Sequence, residues 1–116
     1  MNDSPLSAND QDYFTGHYSG LLAYALSERL GWPVIYYSVD DETRWRSATV
    51  QAPNGAELSA TGIAPQADGF GVGRRIATAA DMELLRSYYE KTTVRAHIDR
   101  AADALAAFAE PGMNQI

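Results

Sequence analysis

The chain is 116 residues long and 46% hydrophobic, with nine Lys and Arg against fifteen Asp and Glu for a formal charge of −6. It holds no cysteine, which excludes disulfides, thiolate metal sites and a cysteine nucleophile, and no apolar run approaches the roughly 20 residues of a bilayer-spanning helix. The excess of carboxylates argues against general binding to a phosphate backbone, which depends on clustered Lys and Arg; it could serve a basic protein surface, but a modest negative charge is also ordinary for a soluble bacterial-type protein.

This length fits one domain with enough core to fold unaided. Residues 1–12, rich in Ser, Asn and Asp with Pro5, read as a disordered tail, and their lack of bases and of an apolar stretch is the opposite of a signal peptide. A cytoplasmic protein is the expectation, with residues 13–112 as a single domain and 113–116 as a short tail. Tyr13 and Phe14 then stand just ahead of a helix beginning at Thr15 or Gly16, where they anchor its entry.

In that helix Leu22, Leu26 and Leu30 recur every four residues with Tyr18, Ala25 and Arg29 in adjacent rows, as a 3.6-residue period requires. Gly31 supplies a left-handed closing residue and Pro33 cannot continue the helix. Val34-Ile35-Tyr36-Tyr37-Ser38-Val39 is β-branched and aromatic and predicts a buried strand within 33–40. Asp40-Asp41-Glu42 reads as a solvated turn rather than a cation site, because adjacent side chains on a turn rarely converge on one ion. Arg44 to Gln51 predicts a second strand, 44–52, and Pro53-Asn54-Gly55 a hairpin turn leading to a returning strand over 56–61.

Residues 62–78 carry five glycines or prolines and read as a flexible connection. Their spacing matches neither a P-loop nor a dinucleotide fingerprint, although Arg74 and Arg75 could form a contact patch. Thr78 predicts a helix cap, with Asp81 and Glu83 placed favourably near the positive helix end. Leu84, Leu85, Tyr88 and Tyr89 continue the period. The Thr92-Thr93 pair either breaks this helix or bends one long helix from Ala79 to Ala109, and Val94, Ile98, Ala101, Ala102, Leu105, Phe108 and Ala109 form a second apolar stripe that ends at Pro111-Gly112.

His17 and Ser19 resemble a base and nucleophile, but residues two apart on a helix do not face each other. His97 has no second histidine at a ligand spacing, so no metal or cofactor is expected. The seven tyrosines, at 13, 18, 24, 36, 37, 88 and 89, are the more informative set, since exposed aromatics are what a binding hot spot uses.

The order Thr-Gly-His-x-x-x-x-Leu-Ala-x-Ala-Leu followed by Gly-Trp-Pro, then Ser-Ala-Thr-Val, Pro-Asn-Gly and Leu-Ser-Ala-Thr-Gly, resembles a bacterial and phage group of small papain-like domains with a Cys-His-Asp triad. The resemblance covers roughly residues 13–63. It implies that Tyr18 stands where the group has its cysteine, Ser47 where it has histidine and Ser59 where it has aspartate, so that all three catalytic roles are vacated. A hydroxyl without an adjacent base does not reproduce thiol acyl transfer.

The sequence therefore predicts an α+β fold: an N-terminal helix on a small antiparallel sheet, with C-terminal helices covering the sheet. The functional expectation is a non-catalytic binding or inhibitor protein, anti-CRISPR-like in form, acting on a protein or nucleoprotein complex without contacting nucleic acid directly or a membrane. Its expected contact surface is Tyr36, Tyr37, Arg44, Trp45 and Arg46, with Arg74 and Arg75 second. The rival expectations are a small hydrolase or transferase using Ser19, Ser47 or Tyr18 with His17, and a self-associating structural protein.

Overall fold

The computed structural model describes residues 4–15, 18–38, 45–64 and 73–113. They form α1 (Ala8–Thr15), α2 (Ser19–Leu30), β1 (Val34–Ser38), β2 (Trp45–Gln51), β3 (Glu57–Ser59), β4 (Gly62–Ala64), β5 (Gly73–Ile76), α3 (Ala79–Lys91) and α4 (Arg95–Met113). The fold is α+β, with N-terminal helices, an antiparallel sheet and C-terminal helices.

At the centre lies α2. Leu22, Ala23, Ala25 and Leu26 are all buried, and full burial of a leucine side chain stabilises by about 1.5–3 kcal/mol. One side of α2 packs on the sheet against β2, with β1 and β3 beside it, and α3 and α4 pack on α2 from elsewhere around its circumference. The N-terminal helix α2 packs on the sheet as expected; of the C-terminal helices, which were expected to cover the sheet, α4 meets it at β3. As the sequence predicts, Gly31 closes α2 in the left-handed conformation, φ 74°, with its N–H donating to Ser27 O at 2.8 Å.

The sheet runs β4-β3-β2-β1-β5. Val34 pairs with Val50 and Tyr36 with Ala48, while Val50 pairs with Leu58, so Val34, Ala48, Val50 and Leu58 share the face toward the helical core. The Pro53-Asn54-Gly55 hairpin forms, closed by Ala52 N–H to Ala56 O at 2.8 Å, with Gly55 at φ 92° and the Asn54 amide oxygen accepting from Ala56 N–H. A bulge between Tyr37 and Ser38 shifts the β1–β2 register. The Asp40-Asp41-Glu42 turn lies outside the described residues.

Three expectations are corrected. Residues 4–12 are not a tail: Ser4 Oγ donates to Ala60 O at 2.6 Å, Leu6 is in the core, and α1 follows. Tyr13 and Phe14 accordingly lie within α1 rather than ahead of a single helix. The 62–78 connection supplies both edge strands, β4 against β3 and β5 against β1, through pairings that local composition does not announce. Finally, α4 continues through Pro111-Gly112 to Met113. Proline is costliest in a helix interior, and here little helix follows it.

Thr78 caps α3 as predicted, in a capping box with Asp81. Thr92 takes an extended conformation, φ −70° and ψ 144°, so the C-terminal region is two helices. In α4, Ile98, Ala101, Ala102, Leu105 and Ala109 bury the predicted stripe. Arg29 at the end of α2 donates to Asp103 at 2.6 Å and lies 3.5 Å from Asp99, joining α2 to α4.

Candidate binding groove

The contact surface expected on the first strand is divided between two faces of the sheet. Successive strand residues point opposite ways. Tyr37 is 5% exposed, and its hydroxyl donates to both carboxylate oxygens of Glu57, at 2.5 and 2.6 Å. Thr49 Oγ1 donates to the same carboxylate at 2.6 Å, and Glu57 is itself buried. This is an internal polar cluster, so Tyr37 is not an exposed contact residue.

Tyr36 is half-buried against the helical core, with the Arg75 guanidinium 5.4 Å from its ring centroid. Burial pushes its phenol up to about 12, with Asp81 adding to the shift and Arg75 opposing it. Arg75 in turn forks onto Asp81 at 2.5 and 3.2 Å. That contact, helped by the backbone and hydroxyl of Thr78 and opposed by desolvation, lowers the Asp81 carboxyl to about 2. Arg75 thus ties β5 to the start of α3. Arg44 and the side chains of Trp45, Arg46 and Arg74 lie outside the described residues; by register Trp45 pairs with Ser38 and Arg74 with Tyr37.

The three positions that the papain-like resemblance would align with its triad are distributed as follows. Tyr18 is the N-cap residue of α2, without a side-chain capping bond. Ser47 is the cross-strand partner of Tyr37 on β2, and Ser59 on β3 exchanges a 3.0 Å hydrogen bond with Thr61. Ser19 is buried, and its Oγ accepts from Ala48 N–H at 3.2 Å, fixing the first turn of α2 to β2. His17 lies outside the described residues. His97 Nε2 is 2.9 Å from Asp10, and its ring packs against Tyr13 and Phe14, holding α4 to α1. No cluster of three or more metal-ligating side chains occurs among the described residues.

What the structure does bring together is a groove of about 530 Å³ between the start of α2 and α3, lined by Tyr18, Gly20, Leu21, Leu85, Tyr88, Lys91 and Thr92. The Tyr18 ring stacks on Tyr13, with centroids 4.8 Å apart and planes 15° apart, which fixes it as a wall. Burial and the neighbouring Tyr18 hydroxyl raise the Tyr13 phenol above its ordinary value. Leu85 is buried. A Cβ on Gly20 would stand 3.3 Å from Leu85 Cδ2, so the bare backbone there leaves that side chain its room. Tyr88 is 56% exposed, and Leu84, one turn earlier on α3, is 54% exposed.

The lining is mostly apolar and carries one formal charge, the Lys91 ammonium. Among the described residues it has hydroxyls at Tyr18, Tyr88 and Thr92 but neither a carboxylate nor an imidazole. Sequence reasoning missed it, although the pairs Leu84-Leu85 and Tyr88-Tyr89 held a signal: two adjacent apolar rows are wider than one contact face. Among the described residues no helix is long and apolar enough to cross a membrane.

No protein-family model matches this chain, and neither the curated proteins nor the solved structures contain a match.

Proposed function

We propose that this chain is a non-catalytic binding domain that holds a protein partner on the α2–α3 groove. The observation that carries the reading is the exposure of Leu84 and Tyr88, one helical turn apart, beside a groove with Leu21 and Leu85 in its lining. Aromatic residues beside apolar pockets are the usual anchors of protein interfaces, and helix-flanked grooves accept the apolar face of a peptide segment. The vacated Cys, His and Asp positions of the papain-like resemblance fit a scaffold given over to recognition. An inhibitor that works by occupying a partner's surface, of the anti-CRISPR kind, is the concrete form of this proposal.

The test places a benzophenone photocrosslinking residue at position 88 and, as a control, at the exposed hairpin position 54. Each protein is irradiated in native lysate with and without nuclease. A discrete, nuclease-resistant protein adduct from position 88 alone is the expected result. Equal adducts from both positions, or none from 88, overturn the proposal.

A further inference from the structure

The α2–α3 groove holds a cation with no ion pair among the described residues. Arg29 is engaged by Asp99 and Asp103, Arg75 by Asp81, and Arg86 lies 3.8 Å from both Glu83 and Glu90. Arg95 lies over the Tyr89 ring, 5.9 Å from its centroid. Lys91, in the last turn of α3, has no ion pair among the described residues; Arg100 has none either, but of the two only Lys91 lines the groove. In a chain of net charge −6 a cation left without a carboxylate beside an apolar groove is a local reversal of sign.

From this we infer that the groove takes a protein segment presenting a bulky apolar side chain next to a carboxylate. The apolar group lies between Tyr18 and Tyr88 against Leu21 and Leu85, and the carboxylate meets Lys91. The inference rests on the binding reading above and deepens it. The net charge of the chain favours cationic partners in general, whereas within the groove lining contact at Lys91 selects a carboxylate, so orientation comes from the lysine and most of the affinity from apolar burial.

N-acetyltryptophan, its neutral amide and the cation tryptamine serve as probes, titrated into the ¹⁵N-labelled full chain and followed by amide chemical shifts. Shifts are expected at Leu21, Leu85, Tyr88 and Lys91, with the acid binding about threefold to fivefold tighter than the amide, as an exposed ion pair provides. Lys91→Gln should erase that preference while leaving amide binding and the remainder of the spectrum unchanged.

Equal binding of acid and amide to the unmodified chain, tighter binding of tryptamine, shifts elsewhere, or no binding of any probe each overturn the inference. A position-88 crosslink obtained alongside any of those results leaves the binding role standing and removes only the carboxylate. Absence of the crosslink removes the reading beneath it.

Discussion

Replacing Tyr37 by Phe deletes one oxygen atom from the polar cluster on the sheet and should destabilise the whole domain. The hydroxyl lies 2.5 and 2.6 Å from the two Glu57 oxygens, and both residues are at most 5% exposed, so water does not substitute for the missing donor. Leaving a buried polar group without one of its partners costs about 1–3 kcal/mol, and Thr49 continues to donate to Glu57, which places the expected loss at about 2 kcal/mol. With a urea slope of about 1.5 kcal/mol/M, the unfolding midpoint should fall by about 1.3 M. The control is Tyr88→Phe, at an exposed position, which should shift the midpoint by less than about 0.3 M. In a Glu57→Gln background the cost of Tyr37→Phe should shrink, because the two side chains share one interaction. Equal midpoints for Tyr37→Phe and Tyr88→Phe would refute the reasoning.

Asp81 has a folded pKa of about 2, below its ordinary 3.8, so its contribution is fully present above about pH 4 and is lost as pH falls toward 2. Asp81→Asn should therefore flatten the acid limb of a stability-versus-pH curve in that window and leave its shape near neutrality unchanged; an acid limb of unaltered steepness contradicts the Arg75 contact. Gly31→Ala should cost about 1 kcal/mol in thermal or urea unfolding, entirely from forcing an L-residue to φ 74°, since no atom lies within 4 Å of the new Cβ. A neutral or stabilising outcome would show that the left-handed cap is not required. Tyr88→Ala should abolish capture of the partner while moving the unfolding midpoint little; coupled loss of both would mark Tyr88 as structural.

The parts of the fold that were legible in the sequence are those fixed by neighbours along the chain. Gly31 and Pro33 punctuate α2, the β-branched run after them forms β1, and Thr78 with Asp81 makes a cap from groups three residues apart. The parts that were not legible are made by distant partners. Gly73–Ile76 is a strand because β1 offers it an open edge, and Leu6, a lone leucine in a polar run, is ordered because the core accepts it. The binding surface failed on a local rule. Tyr36 and Tyr37 were grouped by adjacency, although a strand sends neighbours to opposite faces. The groove itself joins residue 18 to residue 92 and has no sequence spacing by which to find it.

The placement of α2 has a consequence for the thermodynamics of recognition. Its first turn supplies Tyr18, Gly20 and Leu21 to the groove, while Ser19 in the same turn is bonded to the backbone of β2 and Leu22 is in the core. That wall is therefore ordered before any partner arrives, and docking need not immobilise it again. Ordering rotamer-rich side chains costs an interface about 0.5–1.5 kcal/mol each, a cost that here falls on the α3 side, where Tyr88 and Lys91 are exposed. Association should thus show a small entropy penalty for its contact area, and the heat-capacity decrease of apolar burial should stand out above it.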